Sequence, residues 1–187
     1  MFLFKQSMYQ IVDLYKNTEK YVFNPFFGFL YTVSGYESQN DYLGLDEKCP
    51  YQNLILNPFL LQKREVDKIP NITVFAKIYA KLLVFLCKYC YPIAYLLSFC
   101  RFNIYANAGE ANMAFRKIIH NKPQKILCLS RSIFIATTSA KFKHSGAMFI
   151  SCFFPSRHMH AWVIEEGMHA DVYDNGWIMY TPVAMMK

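Results

Sequence analysis

The stretch from Asn71 to Phe102 constrains the fold most, because it is strongly apolar and yet Lys77, Lys81 and Lys88 interrupt it. A bilayer-spanning helix needs about 20 nearly uncharged residues. The longest charge-free run here, Tyr89 to Cys100, is much shorter and holds Pro92, which breaks a helix interior. The lysine spacings of four and seven put all three cations near one helical face. The segment reads as a pair of short helices packed in the protein or against a partner. Peripheral membrane contact is the other use of such a face.

Composition sets the frame around these helices. With 187 residues, 54% of them hydrophobic and 18% aromatic, the chain can bury a core and carries no long polar tail. The formal net charge of +7 favours acidic partners. The lysines and arginines are scattered rather than run together, so no nucleic-acid partner is expected. Met1 to Met8 places Lys5 after Phe2-Leu3-Phe4 and leads into no small-residue cleavage site, unlike a secretory signal. A cytoplasmic location is the expectation. There Cys49, Cys87, Cys90, Cys100, Cys128 and Cys152 read as buried hydrophobes plus one reactive thiol rather than as three disulfides.

The first third alternates like a strand from Met8 to Leu14, turns at Lys16-Asn17-Thr18-Glu19 and returns through Tyr21-Val22-Phe23. Asn24-Pro25 closes this hairpin and opens Phe26 to Val33, read as the first helix of a small winged-helix unit or as an apolar loop on the hairpin. Gly35 to Leu45 is polar and turn-rich, and Tyr51 to Glu65 adds a short helix or strand before a boundary near Pro70. The fold class is α+β in three parts. Residues 1–70 form a winged-helix-like recognition domain, 71–110 an apolar helical connector, and 111–187 a domain that carries the chemistry.

In that last part Ala111 to His120 reads as a helix ended by Asn121-Lys122-Pro123. Leu129 to Phe142 follows as a second helix with Cys128 at its start, where unpaired amides and the helix dipole favour thiolate over thiol. The same amides can hold an oxyanion. Ala147 to Phe154 reads as a buried strand, and His160 to Asp171 as a β-hairpin about Glu166-Gly167. A cysteine at a helix start thus faces a histidine on a sheet. His160 is the candidate base and a downstream carboxylate its orienting acid.

Cys128-Leu129-Ser130-Arg131-Ser132 opening a helix, followed by His160-Ala161-Trp162-Val163 and closed by Tyr180-Thr181-Pro182-Val183, resembles the transglutaminase-like cysteine protease domain of lasso-peptide B proteins, a papain-like fold. The likeness covers roughly Lys125 to Met186. The N-terminal hairpin with Ile11-Val12-Asp13-Leu14 and Tyr21 to Pro25 is similar to the leader-recognition domain of such proteins. The resemblance implies Cys128 as nucleophile and His160 as base. It puts the acid at Val172, so this chain departs from the pattern there. A two-residue turn at Glu166-Gly167 favours Asp171, whereas a three-residue loop favours Asp174; Asp171 is the choice here.

The implied activity is cleavage of the leader from a ribosomally made lasso precursor, whose core a separate ATP-dependent macrolactam cyclase then closes. The leader would add as a strand to the N-terminal sheet edge, with Tyr9, Ile11, Val12, Asp13, Leu14, Phe23 and Tyr31 as candidate contacts. Thr73 to Cys100 would dock the cyclase, with Leu83 and Leu86 as the positions to test. No cofactor is expected, ATP serving the cyclase alone. No metal is expected either: Cys87 and Cys90 read as core, and His158, two residues before His160, as a cleft-edge residue. Trp162 and Trp177 read as core or cleft wall, and Cys152 as packing. The rival functions are acyl transfer to an amine from a Cys128 thioester and a non-catalytic adaptor that delivers precursor to the cyclase.

Overall fold

The computed structural model describes residues 8–10, 20–24, 29–33, 62–64, 66, 70–120, 127–153, 158–171 and 181–186. The protein is mixed α+β, with five helices and eight strands among these residues.

Helix α1, Val74–Tyr89, starts where Thr73 Oγ1 accepts the Ala76 amide at 3.1 Å, an N-cap that satisfies one otherwise orphaned donor. Ala76, Tyr79, Ala80, Leu83 and Val84 recur at helical spacing and are buried. The helix stops at Cys90, and Pro92 sits in the first turn of α2, Tyr91–Leu97, where its missing N–H costs nothing. The expected pair of short helices is present. Leu83 and Leu86, chosen from sequence as docking positions, are buried at 0% and 7% exposure. They belong to the core-facing stripe, so a docking surface on α1 cannot be tested there.

Helix α3, Ala108–Ile119, begins earlier than its apolar periodicity indicates because Asn107 Oδ1 accepts the Glu110 amide at 3.0 Å and Glu110 reaches back to the Ala106 amide at 3.2 Å. Its start lies close to Arg64 and Val66, since a Cβ on Gly109 would stand 2.7 Å from Val66 Cγ2 and 3.1 Å from Arg64 Cδ. Helix α4, Leu127–Thr138, carries Cys128 in its first turn. A short α5, Phe142–Ser145, leads into the sheet.

The sheet is built on β5, Gly146–Phe153, and β6, His158–Glu165, paired antiparallel over their full lengths. A two-residue turn at Glu166 and Gly167, with φ of 53° and 73°, returns the chain into β7, Met168–His169, as the positive-φ hairpin turn requires. Strand β4, Gln62–Lys63, joins β7 in parallel. On the far side β8, Thr181–Met186, pairs with β5 and β1, Met8–Gln10, pairs with β8, so that the order is β1-β8-β5-β6-β7-β4. Both ends of residues 1–70 therefore hydrogen-bond to strands from the last part of the chain.

Two sequence expectations need correction. Phe26 to Val33 does not supply a winged-helix helix, because Phe29–Val33 is strand β3, paired antiparallel with β2, Lys20–Asn24. An apolar run this short, rich in aromatic and β-branched residues, fits a strand better than a helix. The strand at Met8 pairs with β8 instead of with Tyr21–Phe23. Ile11 to Leu14, Gly35 to Leu45 and, apart from residues 62–64, Tyr51 to Glu65 lie outside the described residues.

The core forms where α1, α3 and α4 meet β6. Phe134, 0% exposed, centres it, with ring centroids 5.4 Å from Phe115, 5.9 Å from Tyr79 and 6.2 Å from Tyr105. One buried charge ties the layers together. Glu165 at the end of β6 is fully buried and accepts from Ser139 Oγ after α4 and from the Ala108 amide at 2.7 Å at the start of α3, while Arg64 Nη1 stands 3.9 Å away. Satisfied on these sides, it fixes both helices against the sheet.

Candidate active site

Cys128 enters the site because α4 starts at Leu127, which leaves first-turn amides without intrahelical partners. His160 enters from β6, its Cα opposite Ser151 of β5. The thiol is hydrogen-bonded to the His160 side chain and to the Ala161 backbone amide. Cys128 packs against the buried pair Ile150 and Ala161, as do Tyr91, Leu129 and Met159. Burial pushes the Cys128 thiol up, but the His160 hydrogen bond and charge, the Ala161 amide and the Arg131 guanidinium together hold it below the ordinary thiol range. Cys87, partly buried against the core, shows the contrast: burial, with the neighbouring Cys128 charge, pushes its thiol up to about 12. The surroundings of Cys128 thus favour thiolate and those of Cys87 favour thiol, the contrast that distinguishes a reactive from a packed cysteine.

A second cluster adjoins the pair. Arg131 lies one helical turn after Cys128 and its Nη1 is 2.6 Å from Asp171 Oδ2; Arg116 Nη2 of α3 approaches the same oxygen at 2.5 Å. Asp171 itself is 3% exposed. Its amide donates to His169 Nδ1 at 3.0 Å, and the His169 ring stacks on Trp162 at 5.5 Å. Trp162 stacks on Phe149 at 4.5 Å and donates from Nε1 to Ser151 Oγ at 2.7 Å, beside the His160 position. Trp162 is a core residue, as the sequence suggested.

The structure therefore brings Cys128 and His160 together. It also gives the two-residue turn on which the choice of Asp171 rested, but ladder pairing of β7 ends at His169, and the Asp171 carboxylate meets two guanidinium groups. Asp174 lies outside the described residues. Of the leader-contact candidates, Tyr9, Phe23 and Tyr31 lie on β1, β2 and β3, while Ile11, Val12, Asp13 and Leu14 lie outside the described residues. His158 is exposed at the start of β6. Among the described residues no three His, Cys, Asp or Glu side chains group so as to hold a metal ion, and no helix is long and apolar enough to cross a membrane. Arg131 and Arg116 are site residues that sequence reasoning missed. The i, i+3 spacing of Arg131 from Cys128 is the signal that points to the first.

A thiolate paired with an imidazole at a helix start can attack an electrophilic carbonyl, and helix-start amides can stabilise the resulting oxyanion. Comparison with models of known protein families gives no match, and neither do comparisons with curated proteins and with solved structures.

Proposed function

We propose that the protein is a cysteine peptidase that removes the leader from a lasso-peptide precursor. The observation that carries the reading is the hydrogen-bonded Cys128–His160 pair at the start of α4, with its thiol held below the ordinary range. In the proposed reaction the Cys128 thiolate attacks the scissile carbonyl and the imidazolium of His160 returns the proton to the leaving amine. The acyl-thioester is then hydrolysed by water that His160 deprotonates. Amides of the first α4 turn take the oxyanion. Asp171, or Asp174 in its place, completes the site. Asp171 acts on Cys128 through Arg131, whose charge favours the thiolate.

Among the described residues strand β1 stands at the end of the sheet order, and an edge strand presents unpaired backbone groups to an extended peptide. This supports leader binding by strand addition near Tyr9, with Phe23 and Tyr31 of the β2–β3 pair as further contacts. The core would pass to an ATP-dependent cyclase.

The test is incubation of a lasso precursor with the wild type and with Cys128→Ala, with and without the cyclase, followed by mass spectrometry. A single leader-sized acid product, lost in the variant, supports hydrolysis by Cys128. Equal cleavage by the variant assigns the protein to precursor delivery, and a leader amide product assigns it to acyl transfer.

A further inference from the structure

Helix α1 has two apolar faces, and packing uses only one. Phe75, Ile78, Leu82, Phe85 and Tyr89 follow one another at spacings of three and four and are 48%, 64%, 42%, 56% and 63% exposed. Ile93 and Leu96 on the following helix α2 are exposed as well, at 47% and 58%. All the large exposed hydrophobic residues among those described fall between Val74 and Phe102. At 3.6 residues per turn, Lys77, Lys81 and Lys88 run along one edge of the stripe, and all three are exposed. No Asp or Glu occurs between Asn71 and Asn107.

We infer that this face of α1 and α2 seats on an anionic lipid surface, with α1 lying in the plane of the interface. Three observations favour lipid over a protein partner. The exposed apolar residues are not confined to the single seam a docked helix would need, since α2 carries Ile93 and Leu96 beyond the stripe of α1. Its charge is of one sign, complementary to anionic headgroups and self-repelling between two copies of the chain. Its apolar side chains are aromatic and branched aliphatic, with lysines placed to extend their stems along them and keep the ammonium groups at headgroup level. Absence of a spanning helix among the described residues agrees with surface seating. The inference does not rest on the peptidase reading.

The test is co-sedimentation of the full chain with phosphatidylcholine vesicles and with vesicles containing about one-third phosphatidylglycerol, at low and high salt. Binding is expected to the anionic vesicles and to weaken at high salt. Ile78→Glu with Phe85→Glu should abolish it. Lys77→Gln, Lys81→Gln and Lys88→Gln together should weaken it on the order of a hundredfold, with an unchanged circular dichroism spectrum. These lysines are exposed, so the triple variant keeps the test valid if the glutamate pair misfolds. Wild type that stays in the supernatant, or that binds neutral vesicles equally well, overturns the inference. A dimer in sedimentation velocity that Ile78→Glu with Phe85→Glu dissolves overturns it too, and makes the face a contact between copies.

Discussion

Replacing Asp171 by Asn tests the charged cluster beside the nucleophile. The carboxylate side chain is 4% exposed and shares one oxygen between Arg131 at 2.6 Å and Arg116 at 2.5 Å, whose side chains are 13% and 35% exposed. Removing one partner of a buried ion pair costs about 3–5 kcal/mol, because the remaining charge stays desolvated. The Arg116 share is reduced by its solvent access, and Asn keeps the shape and one acceptor, which together place the loss near the lower figure, about 3 kcal/mol. For a chain of this size that is roughly 6–12 °C in Tm. Urea unfolding followed by far-ultraviolet circular dichroism measures it, and a double-mutant cycle with Arg131→Met should return a coupling of about 1–3 kcal/mol. A loss below about 1 kcal/mol would refute the anchoring role. If stability held while Cys128 alkylation at neutral pH collapsed, Asp171 would be serving the imidazole directly.

Three further outcomes follow from the same structure. Glu165→Ala should destabilise the protein by about 3–5 kcal/mol, since it strips Ser139 and the Ala108 amide of their buried acceptor, whereas Glu166→Ala, on the exposed side of the same turn, should cost about 1 kcal/mol or less; chemical denaturation compares them. Gly109→Val should lower Tm by several degrees, because a Cβ there meets Val66 at 2.7 Å and must push α3 from the chain beneath it, which thermal melts will register. Cys87 should resist iodoacetamide in the folded protein until strongly alkaline pH, since burial and the Cys128 charge push its thiol up, and peptide mapping after timed labelling reads this directly.

Much of the chemistry-bearing half was legible because its signals are local. A cysteine after a break and before an apolar run marks a helix start, and Glu166-Gly167 between β-rich runs marks a tight hairpin; the start of α4, β5, β6 and the turn lie close to where those signals put them, although α4 ends at Thr138 and Phe142 opens a separate short helix. What escaped depends on contacts between distant parts of the chain. The partner of Met8–Gln10 is β8 at the other end of the sequence, whereas the local pattern points to the nearer strand-like segment Tyr21–Phe23. Phe29–Val33 is a short apolar run whose periodicity suits strand or helix, so only pairing with β2 settles it. The register about a two-residue Glu166-Gly167 turn points to Asp171 as a neighbour of His160, while the contacts of its carboxylate with Arg116 and Arg131 come from two helices distant in sequence. Helix α1 is apolar on nearly every side, so sequence alone cannot tell which face the core takes; Leu83 and Leu86 went inward, and Leu82 and Phe85 outward.

The central claim is that His160 makes Cys128 a nucleophile. It is tested most directly by the pH dependence of iodoacetamide alkylation at Cys128, measured by mass spectrometry in the wild type and in His160→Ala. Because the thiolate is the reacting form and the folded site favours it, the wild-type rate should rise through an inflection below the ordinary thiol range. In His160→Ala the inflection should move upward, leaving little reaction at neutral pH. An inflection at the ordinary thiol position, or one that His160→Ala leaves unmoved, would contradict the account.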